Sequence, residues 1–315
     1  MRKSLVGSQF LCVSVMVVMA SVSGLAVAET DFDQIVFFGD SLSDPGNAFV
    51  LLGTVSVRPF EPIPSSPYAR GGKHFSNGAT WTEQFAKSIQ MNRSAKPAFR
   101  IPGLFTNYAV GGSRARMVGS VNLTTQVGLF SQDFPAAPAD ALYSIVIGGN
   151  DIRDALEALA SDPTGAESAQ IIEDAVVGIA DNILTLISMG ATNFLVGDVP
   201  DLGLAPAVRY LDPPIPDLAT LFTFSLNQGL ESALSALEAI PGVTITRLSL
   251  WDVINEAVAE PESVGLKHVD FPCLTFYVRA GAFCKKPDDY LFWDGIHPTR
   301  AGHGILAAAA AEALN

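Results

Sequence analysis

The chain is 315 residues long, 49% hydrophobic and 16% charged, and its 19 basic residues against 32 acidic ones give a formal net charge of −13. That balance excludes disorder, collagen and coiled coil, and it supplies ample apolar material for a packed core. It also lacks the basic footprint that holds a nucleic-acid backbone or an anionic membrane surface, so no nucleic-acid partner is expected.

The first element is an export signal. Arg2 and Lys3 are followed by no charge until Glu29, the run Phe10–Ala20 is apolar, and Ala26-Val27-Ala28 offers the small-x-small pattern of a cleavage site. A signal peptide over 1–28, cleaved after Ala28, is therefore predicted. An uncleaved anchor is the rival, but serines and glycines dilute the stretch. No stable membrane anchor is expected after cleavage, and the product is secreted or periplasmic.

From residue 29 onward, short β-branched or aromatic runs alternate with amphipathic stretches. Strands are predicted at Gln34–Phe38, Thr106–Val110, Leu142–Ile147, Asn193–Val196 and Val243–Leu248. Helices are predicted at Leu123–Phe130, Ala166–Met189, Leu218–Ala239, Trp251–Ala259 and Arg300–Leu314, the last with Thr299 as N-cap. Such alternation implies a parallel sheet with helices on both faces. There is no internal repeat and no linker, so 29–315 is expected to be one domain. Two proline-rich segments, Pro59–Pro67 and Asp212–Asp217, are surface connections or the walls of a groove.

Cys12 leaves with the signal. Cys273 and Cys284 remain, an even count in an exported chain, which predicts one disulfide. The four histidines, His74, His268, His297 and His303, show no metal-ligand spacing, so no metal or cofactor is expected.

In an open parallel sheet, ligands bind beyond the carboxyl ends of the strands. The segments there are Gly39–Asp44, Gly111–Ser113 and Gly148–Asp151, all small and polar. Ser41 is a weak nucleophile unless a base takes its proton. His297 is the candidate base, and Asp294, three positions earlier, can reach its far nitrogen and set the tautomer. His303 competes for that role, but no carboxylate lies within a turn of it. A lone serine is ordinarily a turn residue and a lone histidine structural; neither explanation accounts for both at the expected site positions. Acyl transfer also needs donors aimed at the developing oxyanion. The Gly111-Gly112 pair, the Asn150 side chain and the Ser41 amide are candidates. Neither GxGxxG nor GxxxxGK[ST] occurs, and Gly39–Ser43 is not the G-x-S-x-G elbow of the α/β-hydrolases.

With these residues in view, the chain resembles the GDSL/SGNH hydrolases. Phe38-Gly39-Asp40-Ser41-Leu42-Ser43-Asp44 is similar to the family's first block. Asn107-Tyr108-Ala109-Val110-Gly111-Gly112, Ile147-Gly148-Gly149-Asn150-Asp151 and Asp294-Gly295-Ile296-His297-Pro298-Thr299 follow in order. Lesser matches are Phe75-Ser76-Asn77-Gly78, Phe292-Trp293, and Phe224 with Asn227. The resemblance implies a flavodoxin-like three-layer α/β/α sandwich, with Ser41 as nucleophile, His297 as base and Asp294 as its partner. It implies Ser41, Gly112 and Asn150 as oxyanion donors, with Gly112 preferred over Gly111 because the family's glycine falls five positions after the asparagine.

The leading expectation is a serine esterase or lipase acting on a small-molecule or lipid ester. A carbohydrate O-acetylesterase or an acyltransferase would use the same residues, and a silent binding module would retain only the scaffold.

Overall fold

A computed structural model describes Met1 and residues 32–52, 74–274 and 284–315. The predicted signal beyond Met1 and the Pro59–Pro67 segment lie outside the described residues. No described helix is long and apolar enough to cross a membrane.

Four parallel strands, β1 (Gln34–Gly39), β2 (Ala141–Val146), β3 (Asn193–Gly197) and β4 (Thr244–Leu248), pair in the order β1-β2-β3-β4. The register sets Gly39 opposite Val146, Val146 opposite Gly197 and Gly197 opposite Leu248, so all four strands end level at one edge. The helices are α1 (Asn47–Leu52), α2 (Trp81–Ser88), α3 (Leu123–Asp133), α4 (Gly149–Ala158), α5 (Ala166–Ser188), the single turn α6 (Pro206–Arg209), α7 (Ile215–Leu237), α8 (Leu250–Ala259) and α9 (Arg300–Ala313).

The strand alternation divides the core in two. Val36, Phe38, Tyr143, Ile145, Phe194, Val196 and Ile245 pack on one face with Leu123 and Phe130 of α3, Ile152 of α4, Ile179 and Ile183 of α5, and Leu226 and Leu230 of α7. Ile35, Phe37, Leu142, Val146, Leu195 and Leu248 pack on the other with Trp81 and Phe85 of α2, Ile254 of α8, and Leu306 and Ala310 of α9. Both faces of β1, β2 and β3 are thus buried, which explains why these strands read as near-continuous apolar runs, whereas the edge strand β4 keeps Thr244 exposed and Thr246 and Arg247 partly so. The result is the three-layer α/β/α sandwich. Phe37 meets Trp81 and Phe85 edge-on at 5.8 and 6.4 Å, and truncating so buried a ring costs about 3–5 kcal/mol.

The five predicted helices form within a few residues of their expected ends, and α7 begins earlier than expected because Pro216 sits in its first turn, where no amide partner is needed. Asn122 caps α3, and Thr299 caps α9 by accepting the Gly302 amide at 3.1 Å. One expected strand differs. Residues 106–110 run along the free edge of β1, with the Phe37 amide donating to the Thr106 carbonyl at 2.9 Å and the Tyr108 amide to the Phe37 carbonyl at 2.7 Å. Their outer edge meets no strand: Asn47 Nδ2 donates to the carbonyls of Asn107 and Ala109, both at 2.8 Å, and the Ala98 amide donates to the Asn107 carbonyl. The segment is therefore half a strand. Counted with β1 to β4, it gives the flavodoxin-like order 2-1-3-4-5, whose direction reverses between β1 and β2.

Candidate active site

The reversal point is where the expected residues gather. Ser41 follows β1 directly, Asn150 opens α4 just after β2, and a narrow loop before α9 brings Asp294 and His297 to the same edge. At the end of β1, a side chain on Gly39 would meet the Val146 carbonyl at 2.4 Å, so only glycine lets the chain turn out of the sheet there.

The acid–histidine loop is fixed by its own backbone. The Trp293 amide donates to the His297 carbonyl at 2.7 Å, and the Thr299 amide to the Leu291 carbonyl at 2.8 Å. Asp294 Oδ1 accepts the amides of Ile296 at 2.8 Å and His297 at 2.7 Å. Its other oxygen, Oδ2, lies 2.7 Å from His297 Nδ1, and His297 Nε2 lies 2.8 Å from Ser41 Oγ. Asp294 can only accept, so Nδ1 carries the proton and Nε2 is left to accept the Ser41 hydroxyl. Phe75 lies against the imidazole with ring centres 5.3 Å apart.

Electrostatics follow from this geometry. Burial opposes charge on Asp294, but the facing imidazole and the backbone amides outweigh it and hold the carboxyl below its usual range. Burial likewise opposes charge on His297, but the Asp294 carboxylate, aided by Asp40, raises its pKa above the ordinary value. Asp40, beside Ser41, is pushed up to about 6 by burial, against the Leu42 amide. His303, the competing histidine, is fully buried with neither ring nitrogen hydrogen-bonded among the described residues, and burial drives its pKa down to about 3. It does not reach Ser41.

The candidate oxyanion donors are carried by the turn after β1, the 111–113 loop and the start of α4. Gly112 has a φ of +84°, which favours glycine, and its amide is unengaged among the described residues, as is that of Ser41. Gly111 is not available, because its amide donates to Asp44 Oδ2 at 2.9 Å. Asn150 Nδ2 donates one hydrogen to the Ser113 carbonyl at 3.0 Å and keeps a second.

Several residues of the blocks and pairs quoted above support the site through contacts that the sequence did not give. Asp44 accepts four amides: Gly46 at 2.7 Å and Asn47 at 2.6 Å on Oδ1, Ala48 at 3.0 Å and Gly111 on Oδ2. Its position just before Pro-Gly-Asn, where its carboxylate can accept the amides that open α1, was the available clue. Asn107 Nδ2 donates to the Ser43 carbonyl at 2.9 Å, steadying the turn that carries Ser41, and Asn227 holds both backbone groups of Val199 after β3. Phe224 stands half-exposed against Trp251, away from these contacts. Cys273 and Cys284 form a disulfide with Cα atoms 4.9 Å apart. The amides of Cys273 and Leu274 donate to the carbonyls of Phe292 and Trp293 at 2.9 and 2.7 Å, so the bridge braces the segment leading into Asp294. Among the described residues, no group of three His, Cys, Asp or Glu side chains could hold a metal.

A serine hydrogen-bonded to a histidine that a carboxylate orients, at the switch point of a parallel sheet, is the arrangement of a serine hydrolase. A family model described as GDSL-like Lipase/Acylhydrolase matches residues 35–310, and the chain belongs to that family; it is a serine hydrolase of ester bonds. Among its relatives, a GDSL esterase/lipase of Arabidopsis thaliana is 26% identical, with 95% of this chain and 91% of that protein covered. The thermolabile hemolysin of Vibrio parahaemolyticus is 25% identical, over 92% of this chain and 66% of that protein. Among solved structures, a catalytic mutant of Axe2, an acetylxylan esterase from Geobacillus stearothermophilus, is 15% identical with a TM-score of 0.44, over 90% of this chain and 94% of that one.

Proposed function

We propose that the protein cleaves carboxylic esters in two half-reactions through an acyl-enzyme on Ser41. The observation that carries this reading is the continuous chain Asp294 Oδ2–His297 Nδ1 at 2.7 Å and His297 Nε2–Ser41 Oγ at 2.8 Å. Ser41 Oγ attacks the ester carbonyl carbon while His297 Nε2 takes its proton. Asp294 stabilises the imidazolium that forms. The amides of Ser41 and Gly112 and the second N–H of Asn150 receive the oxyanion, where one donor is worth about 2.7–4 kcal/mol. Collapse breaks the C–O bond, and the departing alkoxide takes the proton from His297. Water repeats the cycle and releases the acid. No cofactor enters any step.

The acceptor in the second half-reaction is read as water, and the substrate as a small-molecule or lipid ester. We read 1–28 as a cleaved signal and 29–315 as one exported domain, a reading the Cys273–Cys284 disulfide supports. Hydrolysis of p-nitrophenyl esters from acetate to palmitate by the native enzyme, Ser41→Ala and His297→Ala tests the proposal. Turnover is expected only in the native enzyme, and the chain-length profile identifies the acyl class. Native-level turnover in Ser41→Ala would overturn it.

A further inference from the structure

The loop carrying Gly112 is bound to the first turns of α4 by a network that the chemistry above does not use. Arg114 chelates Asp154, with Nε donating to Oδ2 at 3.0 Å and Nη2 to Oδ1 at 2.8 Å, and its third nitrogen, Nη1, donates to the Gly112 carbonyl at 2.8 Å. Arg116 lies alongside, with Nε donating to Asp151 Oδ1 at 2.8 Å and Nη2 to Asp154 Oδ2 at 2.6 Å. Asp151 Oδ2 accepts the Ala115 amide at 2.8 Å, and Asn150 Nδ2 donates to the Ser113 carbonyl at 3.0 Å. Ser113 to Arg116 each bond to Asn150, Asp151 or Asp154, and Gly112 bonds to Arg114.

Packing cannot do this work at Gly112. Space around its Cα is open, with nothing within 4 Å of where a side chain would begin, and glycine is the residue least constrained by its own backbone. Its peptide therefore needs an external hold. A guanidinium gripped on two nitrogens by Asp154 is rigid, and its third nitrogen transmits that rigidity to Gly112. Asn150 and Asp154 lie four residues apart on one face of α4, so the helix that presents one donor also anchors the hold on the other.

We propose that Arg114 and Asp154 are positioning residues that orient the Gly112 peptide relative to Asn150 and so complete the oxyanion site. The proposal rests on the reading of Gly112 and Asn150 as oxyanion donors. Arg114→Met keeps the aliphatic stem and removes the guanidinium. Its kcat is expected to fall about 10- to 100-fold, less than for outright loss of a donor, with KM within about threefold of native. Asp154→Asn should fall in the same direction by less. In Arg114→Ala, millimolar methylguanidinium should restore part of kcat without changing the melting temperature, a response that a purely structural arginine would not give. A kcat in Arg114→Met within about threefold of native overturns the proposal, as does a loss that follows melting temperature and resists methylguanidinium. Native Ser41-dependent turnover with undiminished Arg114→Met overturns the clamp alone. Absence of Ser41-dependent turnover in the native enzyme overturns the underlying reading and the clamp with it.

Discussion

Asp44 Oδ2 accepts the amide of Gly111 at 2.9 Å, and this bond decides which amide of the Gly111-Gly112 pair is left unengaged among the described residues. The same carboxylate caps α1 through the amides of Gly46, Asn47 and Ala48, so it ties the turn after β1 to the loop that carries the candidate donor. Asp44→Ala leaves buried amides without acceptors. It is expected to cost at least about 2 kcal/mol in urea unfolding and to lower kcat in the molecules that remain folded. Unchanged stability would show that water or a rearranged loop replaces the carboxylate.

Asp294→Asn keeps the shape of the acid–histidine loop but loses the charge and favours the wrong tautomer. A fall in kcat of about 1,000- to 10,000-fold is expected from steady-state kinetics. The pH profile carries the sign. His297 must be neutral to accept the Ser41 proton, so activity rises with pH through a pKa that Asp294 holds above the ordinary histidine value. Without Asp294 burial dominates, and the limb should move to lower pH in the residual activity. A limb that stays in place would detach the pH dependence from His297.

His303 gives a stability prediction. Its folded pKa, about 3, lies below its ordinary value of 6.5, so the unfolded chain binds the proton first. Stability should therefore fall as pH drops from about 6.5 toward 3, by about 2 kcal/mol at pH 5 from this residue. His303→Leu is close in volume and removes two buried nitrogens without partners. It should flatten the acid limb of an unfolding-against-pH curve. An unchanged limb would mean that the ring is protonated in the folded state.

Reduction of the Cys273–Cys284 bridge should lower stability by about 3 kcal/mol for a loop with a sequence separation of 11. It should also loosen the Phe292–Trp293 segment that leads into Asp294. Thermal melts and esterase assays with and without reductant check both effects. Loss of stability with full activity would place the bridge outside the support of Asp294.

What the sequence revealed and what it hid follow one physical distinction. Ser41 and the Asp294–His297 pair were legible because each is a local pattern: a serine at the end of an apolar run, and a carboxylate three residues before a histidine. The disulfide was legible from an even cysteine count. α4 was hidden because its first residues, Gly149-Asn150-Asp151, have the composition of a turn, and its ten residues are too few for a strong period. The 106–110 segment has strand composition, but Asn47, about sixty positions away in sequence, takes the carbonyls that a neighbouring strand would have used. The Arg114–Asp154 chelate spans forty positions and looks like ordinary surface charge until the fold brings its ends together.

The most direct test of the account is to trap the acyl-enzyme. The native enzyme is mixed with an activated ester and quenched in acid before deacylation is complete, and the intact mass and peptide map are recorded. The account predicts a mass gain of one acyl group, located on Ser41 and absent from Ser41→Ala and from His297→Ala treated in the same way. An acyl group on another residue, or native ester turnover that persists in Ser41→Ala, would contradict it.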